Sequence, residues 1–449
     1  MYEPDTIAAI ATPPGPGGIG VIRVSGAAAE QLARRVAPRR RPADAWQSHR
    51  LYRVRLCAAD GTALDDGMAV LMRAPHSYTG EDVLELHAHG SPVVLDGLLS
   101  ALLELGARPA RAGEFTQRAF LNGKLDLAQA EAVMALVEAR TADGAAAAAG
   151  QLFGGLSARC AAIRACLVRA RAHCEACLDF GDEGLGIDDD ALAVELREAQ
   201  AAVRELLAGA TRGELVRRGL RVVITGRPNA GKSSLLNALC GSERAIVSAI
   251  PGTTRDAIEA TADFDGVPVT LVDTAGLRVA QDEVERLGVA RAEAAAALAD
   301  VVLVVLDRTC GFAEQRALPA EDRVVVINKS DCASTWSAAE IGELAVYAPV
   351  NVAATVPIGL GALRAAVLAR AGVQWGDNMP ALIGIRQRDA LSKVDACLTA
   401  ALDAVAAGLP AELVAVDVQG AVDHIGAVTG AVSNEDVLDA VFREFCIGK

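Results

Sequence analysis

The chain has 449 residues, of which 52% are hydrophobic and 22% charged, which suits about two to four domains with buried cores. Its formal net charge of −14 argues against a general nucleic-acid binder, because such proteins neutralise phosphates with an excess of lysine and arginine. No signal peptide and no run of about 18 apolar residues is visible, so the sequence predicts a cytoplasmic protein without a membrane span.

Strand-like and helix-like patterns share the first 120 residues and predict an α+β domain. Strands are predicted at 6–12, 18–25, 51–57, 68–73 and 83–88, and helices at 27–36 and 93–105. Long helical patterns begin near Leu125, strands and helices alternate from Gly219, and helical patterns return after Trp375. The alternating module is therefore predicted to be inserted into a helical domain, since domain termini often lie close together.

The predicted organisation is multidomain, of α/β and α class. Its parts in chain order are an N-terminal domain (1–121), a first helical part (122–216), an inserted α/β domain (217–374) and a second helical part (375–449).

A strand ending at Thr225 runs into GRPNAGKSS, which has the G-x-x-x-x-G-K-[ST] spacing of a P-loop. In such a loop the backbone N–H groups surround the phosphates, Lys232 reaches the β- and γ-phosphates, and the Ser233 hydroxyl binds Mg²⁺. The helix that follows directs its positive N-terminus at the same anion.

Two further motifs follow predicted strands in the order expected of a GTPase. In DTAG, Asp273 would hold Mg²⁺ through water and the Gly276 amide would bind the γ-phosphate. In NKSD (328–331), the Asp331 carboxylate can accept hydrogen bonds from guanine N1–H and N2–H, which adenine cannot offer. Three ordered motifs favour a Ras-like P-loop G domain, with a mostly parallel sheet flanked by helices, over a chance glycine-rich turn.

The switch segments carry the other candidate catalytic groups. Thr254, in PGTTRD, is expected to complete the coordination of Mg²⁺ in the triphosphate state. Leu277 stands where many GTPases have a water-positioning glutamine, so another group must act. Glu285 could orient the attacking water, although a solvated acidic helix start explains it as well. The catalytic candidates are Lys232, Thr254, Asp273 and Glu285.

These and other segments make the chain resemble the MnmE (TrmE) family of tRNA-modification GTPases. The segments include ATPPGPGGIGVIRVSG, SYTGEDVLELHAHG, GEFTQRAFLNGKLDLAQAEAV, GRPNAGKSSLLNAL, PGTTRDAIE, DTAGLR, DEVERLG and the terminal FCIGK. The resemblance implies an N-terminal tetrahydrofolate-binding domain, a helical domain and an inserted G domain. It also implies a homodimer formed by the N-terminal domains, and G domains that pair in the triphosphate state.

The resemblance extends to a K⁺ ion, which would supply positive charge where other GTPases use an arginine finger. Its implied ligands are Asn229, Ser248, Ile250 and Thr253, several through backbone carbonyls. Glu285 falls on the water-orienting glutamate of the family. The motifs and the resemblance together give these GTP/GDP-binding positions: Asn229, Ala230, Gly231, Lys232, Ser233, Ser234, Ser248, Ala249, Ile250, Pro251, Gly252, Thr253, Thr254, Asp273, Thr274, Ala275, Gly276, Asn328, Lys329 and Asp331.

A folate site is implied by the resemblance alone, at Arg23, Glu85, Lys124 and Lys449. A folate offers carboxylates to the cations and a pterin edge to the acid. Without the resemblance, Arg23 and Lys124 would be interpreted as surface charges. Cys446 is either a functional thiol, which requires a perturbed pKa, or a terminal anchor or pocket wall.

The implied function involves an FAD-containing partner of the GidA (MnmG) type, in a heterotetramer or larger complex. Together they would install a 5-carboxymethylaminomethyl or 5-aminomethyl group on the wobble uridine of certain tRNAs. The carbon would come from a 5-formyl- or methylene-tetrahydrofolate, while GTP hydrolysis drives G-domain dimerisation and conformational change. Two alternatives remain: a ribosome-assembly GTPase, and a folate-dependent enzyme with a regulatory G domain.

One departure from the family pattern concerns the guanine site. The segment AATVPIGLG replaces the usual S-A-[RK] loop, and Thr355 to Pro357 are expected to take its place.

Overall fold

The computed structural model describes residues 5–39, 45–179, 189–241, 258–273, 298–315, 323–356, 358–372, 383–431, 435–443 and 445–449. The chain divides into two compact units. The first comprises Met1–Met134, Leu152–Ala172 and Val418–Lys449, and the second comprises Ala135–Gln151 and His173–Asp417. The predicted boundaries at 121, 216 and 374 stay a prediction.

A six-stranded mixed sheet forms the centre of the first unit, in the order β3-β4-β5-β2-β1-β6. Its strands are β1 (Ile7–Ile10), β2 (Gly17–Ser25), β3 (Arg50–Cys57), β4 (Ala63–Met72), β5 (Val83–Gly90) and β6 (Arg108–Pro109). Neighbouring strands are antiparallel, except that β1 and β6 are parallel. The strands predicted in this region are confirmed, although β4 begins earlier than expected.

Two helices, α1 (Ala29–Val36) and α2 (Pro92–Glu104), cover one face of this sheet. They bury the alternate residues Ile22 and Val24 of β2 and Leu84 and Leu86 of β5. Because side chains alternate between faces along a strand, the residues between them point to the other face. That face carries the predicted folate residues Arg23 and Glu85, which are directly opposite each other in the register.

The rest of the first unit brings the C-terminus beside the sheet. The helices here are α3 (Glu114–Leu121), α4 (Leu127–Glu138, in part), α6 (Gly155–Asp179, in part), α12 (Ala411–Thr429, in part) and α13 (Glu435–Arg443). An aromatic cluster packs Phe442 and Phe445 against Leu127. Beyond it, Ile447 pairs with Ala112, and the Phe115 N–H donates to the Lys449 carbonyl at 3.1 Å.

The second unit contains another six-stranded sheet, in the order β12-β11-β10-β7-β9-β8. Its strands are β7 (Leu220–Gly226), β8 (Ile258–Phe264), β9 (Val267–Asp273), β10 (Val301–Asp307), β11 (Val324–Asn328) and β12 (Val350–Asn351). Only β8 runs antiparallel to its neighbour among these described strands. The predicted mostly parallel sheet is confirmed, and β7, β9, β10 and β11 present their carboxyl ends at one edge, where open α/β sheets bind ligands.

Helices pack on this sheet and extend the second unit. They are α5 (Ala142–Leu152), α7 (Asp189–Arg218), α8 (Lys232–Cys240), α9 (Ala338–Leu344), α10 (Leu360–Arg370) and α11 (Ile385–Ala406). Ala148 of α5 is buried in the same core as Val267 of β9. The Thr141 hydroxyl, just before α5, donates to the Gly266 carbonyl in the β8–β9 turn at 2.8 Å. Among the described residues, no helix has the length and apolar character needed to span a bilayer.

Candidate nucleotide-binding and folate-binding sites

The loop between β7 and α8 has the backbone that its sequence predicts. Gly226, Asn229 and Gly231 have φ of 145°, 64° and 90°, in the region that favours glycine. A Cβ at Gly231 would collide with the Asn328 side-chain amide, and one at Gly226 with the Val305 carbonyl. The glycines of the motif are therefore required by close packing as well as by backbone conformation.

Lys232 is held inside this loop. Its Nζ donates to the carbonyls of Gly226 at 3.0 Å and Arg227 at 2.9 Å, and the residue is only 6% exposed. A buried ammonium group is stable only when its donors are satisfied. The loop carbonyls thus hold the Lys232 ammonium group near the N-terminus of α8, where a phosphate would be bound.

The two described side chains predicted to serve Mg²⁺ lie together. The Ser233 hydroxyl at the start of α8 donates to Asp273 Oδ2 at 2.6 Å, and Asp273 ends β9 with 1% of its surface exposed. A hydroxyl beside a carboxylate is the kind of hard oxygen pair that Mg²⁺ prefers. The donor set therefore fits the ion.

The NKSD segment connects the P-loop with the loop after β12. Asn328 is 1% exposed, its Nδ2 donates to the Ala230 carbonyl at 2.9 Å, and its Oδ1 accepts from the Ala354 N–H at 3.2 Å. The segment 353–356 therefore lies beside the base-recognition motif, although Pro357 is outside the described residues. Asp331 is exposed at the same edge.

Lys329 makes an ion pair that sequence reasoning missed. Its Nζ lies 2.6 Å from Asp307 Oδ2, at the carboxyl end of β10. Burial raises the pKa of Asp307, but hydrogen bonds from Lys329 and Thr309 outweigh it and hold that pKa below its usual value. The hydrogen bond to Asp307 likewise raises the pKa of Lys329. The available signal was a third buried strand, VVLVVLD, that ends in an acid as VTLVD does.

The structure brings ten of the predicted nucleotide residues to this edge: Asn229, Ala230, Gly231, Lys232, Ser233, Ser234, Asp273, Asn328, Lys329 and Asp331. The remaining predictions lie outside the described residues: Ser248, Ala249, Ile250, Pro251, Gly252, Thr253, Thr254, Thr274, Ala275, Gly276 and Glu285. Leu277 lies outside them as well.

Arg23 in the first unit bonds directly to Glu85, another of the predicted folate residues. Its Nε and Nη2 donate to Glu85 Oε1 at 3.0 and 2.9 Å, and Nη1 donates to the Gly448 carbonyl at 3.5 Å. The guanidinium also lies 5.3 Å from the centre of the Tyr78 ring. Arg23 and Glu85 keep about a fifth of their side-chain surface exposed, so both remain accessible to a ligand.

Lys124 and the C-terminal segment belong to the same unit. The Lys124 ammonium donates to the Pro75 carbonyl at 3.0 Å, in the loop that also carries Tyr78. The carbonyl of Cys446 accepts from the Gly113 N–H at 3.4 Å, whereas the Cys446 side chain is exposed. Backbone pairing therefore anchors the terminal segment and leaves the thiol facing solvent.

Comparison with known proteins identifies the family. A family model described as GTP-binding protein TrmE N-terminus matches residues 6–124, and one described as MnmE helical domain matches residues 127–446. The tRNA modification GTPase MnmE of Symbiobacterium thermophilum is 44% identical over 455 residues, covering 99% of both chains. That of Chloroflexus aurantiacus is 43% identical over 456 residues, covering 99% of this chain and 100% of the relative.

The chain belongs to the MnmE family. It is accordingly a GTP hydrolase of the tRNA-modification class, as the ordered P-loop, DTAG and NKSD motifs predicted. The resemblance inferred from sequence is confirmed over essentially the whole length of the chain.

Proposed function

We propose that this MnmE-family protein is a Mg²⁺-dependent, K⁺-stimulated GTPase that acts in modification of the tRNA wobble uridine with a folate one-carbon unit. The GTPase part of this proposal rests on the 2.6 Å hydrogen bond between Ser233 and Asp273, beside the buried Lys232. The product would be a 5-carboxymethylaminomethyl or 5-aminomethyl uridine. We also propose that the G domain is inserted into the helical domain.

In the proposed mechanism, Lys232 exchanges its loop carbonyls for the β- and γ-phosphate oxygens of GTP. Ser233 and, through water, Asp273 would hold Mg²⁺, with Thr254 added in the triphosphate state, and the ion would supply positive charge to the phosphates. Asn328 keeps the P-loop and the base motif together through its bond to Ala230. Glu285 orients the attacking water. It takes the role that a glutamine has in many other GTPases, because this chain has Leu277 at the position of that glutamine.

The proposed K⁺ site includes Asn229, Ser248, Ile250 and Thr253. Asn229 supports it through its left-handed backbone, with φ of 64° at the phosphate loop. A monovalent cation there would offset charge at the β–γ bridge without a partner's arginine. We further propose that the G domains pair in the triphosphate state and that GTP hydrolysis drives G-domain dimerisation and conformational change.

The proposed folate site consists of Arg23, Glu85, Lys124 and Lys449. The cations suit the glutamate tail of a tetrahydrofolate, and the carboxylate suits its pterin edge. The gathering of Arg23, Glu85 and the Gly448 carbonyl supports this arrangement. The proposed ligand is a 5-formyl- or methylene-tetrahydrofolate, and Cys446 is the proposed functional thiol.

We propose a cytoplasmic homodimer that works with an FAD-binding protein of the GidA/MnmG type and with tRNA. The net charge of −14 supports a division of labour in which the partner holds much of the RNA.

The deciding experiment measures GTP turnover in K⁺ and Na⁺ buffers of equal ionic strength, over a range of protein concentrations. We expect turnover to depend on both the cation and the protein concentration. A rate indifferent to the cation would reject the K⁺ site.

The base site is tested separately with Asp331→Asn. An amide at this position can donate to the second carbonyl of xanthine, so we expect preference to move from guanosine to xanthosine nucleotides. A variant that still prefers GDP over xanthosine diphosphate would reject the assignment of the NKSD motif.

A further inference from the structure

Asp307 is a buried carboxylate at the nucleotide edge that none of the recognised motifs contains. It ends β10, stands opposite Asn328 in the sheet register, and is only 4% exposed. Oδ2 accepts from Lys329 Nζ at 2.6 Å, while Oδ1 accepts from the Thr309 N–H at 2.9 Å and its hydroxyl at 2.6 Å. Both oxygens are therefore engaged, and one of them by the lysine of the NKSD motif.

The carboxylate is mounted on a fixed backbone. Gln315, 2% exposed, accepts from the Asp307 N–H at 2.7 Å and donates to the Asp307 carbonyl at 2.9 Å. The intervening turn is held from the other side, because Trp336 Nε1 donates to the Cys310 carbonyl at 2.7 Å. Such anchoring leaves Asp307 little freedom to follow Lys329, so Lys329 must follow Asp307.

Lys329 needs an external restraint because its own backbone is unfavourable. Its φ of 59° lies in the left-handed region, which a lysine rarely adopts and which persists only where the surroundings enforce it. Its Cα lies one residue beyond the end of β11, and its Nζ is fixed at the end of β10. The methylene stem therefore runs along the carboxyl edge of the sheet, with 34% of the side chain exposed.

We propose that Asp307 is the positioning residue for the Lys329 side chain. By binding the ammonium group, it holds the methylene groups of Lys329 where they form the apolar surface that contacts the purine base. Long lysine stems commonly cover apolar surface while the charged end is bound elsewhere. Asp307 acts on nucleotide affinity through Lys329 and does not touch the phosphates. This inference rests on the proposed role of NKSD in base recognition.

The test is Asp307→Asn in the full-length chain, with fluorescent GDP and GTP titrations and steady-state turnover. We expect the Kd for both nucleotides to rise about tenfold, because a charge-assisted bond to the lysine is lost. The kcat at saturating GTP should stay within about twofold, since catalytic contacts are made on the phosphate side. Unchanged affinity would overturn the proposal.

The matched control is Asp300→Asn. Asp300 precedes the same strand at its amino end, where it binds Arg218 Nη2 at 2.6 Å and the Arg221 N–H at 2.8 Å. The Asp300→Asn substitution also removes an ion pair, but at the end of β10 opposite to the nucleotide edge. We therefore expect this variant to bind nucleotides with normal affinity. An equal loss of affinity in both variants would mean that Asp307 acts only through domain stability.

A double-mutant cycle with Lys329→Met separates positioning from general damage. In the Lys329→Met background, Asp307→Asn should change the Kd by less than about twofold, because no ammonium is left to align. Persistence of the full tenfold effect would overturn the proposal. If Asp307→Asn does not fold, Thr309→Val provides the milder test, with an expected loss of about threefold that must also vanish without Lys329.

The Asp331→Asn experiment distinguishes failure of the base-site assignment from failure of the positioning role of Asp307. Failure of that exchange rejects the base-site assignment itself. A successful exchange together with normal GDP binding by Asp307→Asn rejects only the positioning role.

Discussion

The carboxyl edge of the second sheet and the Arg23 face of the first sheet gather their polar residues in different ways. At the carboxyl edge, short contiguous motifs follow successive strands, and parallel topology alone brings Gly226, Asp273 and Asn328 together. On the Arg23 face, the partners are distant in sequence, and Arg23 bonds to a carbonyl 425 positions away. One site is encoded locally, and the other depends on the completed fold of its unit.

This difference predicts that the two sites can be disrupted independently. Lys232→Ala should have the largest effect: GTP turnover should fall more than about a hundredfold, because the phosphates lose the buried ammonium group of Lys232. Binding of 5-formyl-tetrahydrofolate, measured by calorimetry on the same preparation, should be unchanged. Loss of folate binding as well would contradict the separation.

A buried charge network is expected to stabilise the first unit. Arg118, 2% exposed, binds Asp5, Glu81 and Glu114, and Arg108 binds Asp5 and Glu114. Glu114→Gln should lower the free energy of unfolding by about 3 kcal/mol at neutral pH, since it removes one of the carboxylates that compensate the buried Arg118 guanidinium and one that pairs with Arg108. Chemical denaturation measures it, and GTP affinity serves as the control that should not change.

The same network predicts a direction of pH dependence. Burial raises the pKa of Glu114, but bonds from Arg108 and the Arg111 N–H outweigh it and hold that pKa below its ordinary value. The stabilisation is therefore complete above the unfolded-state pKa and is lost as pH falls through the lower folded-state pKa. Glu114→Gln should have a shallower decline in stability on acidification, and an unchanged decline would show that other carboxylates control it.

Arg23→Ala should lower the affinity for 5-formyl-tetrahydrofolate by about tenfold or more, because a charge-assisted contact disappears. Arg34→Ala is the matched control, since Arg34 pairs with Glu30 on α1, outside the proposed site. GTP turnover of both variants should equal that of the wild type. Folate affinity that survives Arg23→Ala would remove the central residue of the proposed site.

The smallest expected effect concerns the helix that holds the β8–β9 turn. Thr141→Val removes the donor to the Gly266 carbonyl and the acceptor for the Gly144 N–H, at 2.8 and 3.0 Å. We expect a loss of about 1–2 kcal/mol in unfolding free energy, by calorimetry or denaturation. Ser157→Ala, on α6 in the first unit, provides a small polar-to-apolar control.

The sequence pattern was enough to predict those features that lie within a single strand or loop. The strands at 18–25 and 83–88 were predictable because their apolar residues alternate, and the P-loop because its glycines and lysine are contiguous. The first half of β4, ALDDG, lacks strand-forming residues and was missed, since only its pairing with β3 makes it a strand.

Residues whose role depends on a distant partner were not predictable from pattern. Asp307 ends an apolar run and carries no motif, and only the fold shows that Lys329 and Gln315 meet it. Arg23 was selected by family resemblance alone, because a lone arginine in a strand reads as a surface charge.

The turn at Gly266 has a mechanical consequence. Asp143 lies so close to Gly266 that a Cβ there would come within 2.5 Å of its carboxylate, and Thr141 binds the same residue. The closed end of the hairpin is thereby clamped, while the other end carries Asp273 and the strand that follows the first switch segment. Because β9 is also paired with β7 from Val269 to Asp273, the hairpin is held along one strand as well as at its turn, so α5 and β7 together brace the strand that presents Asp273 to the phosphate edge.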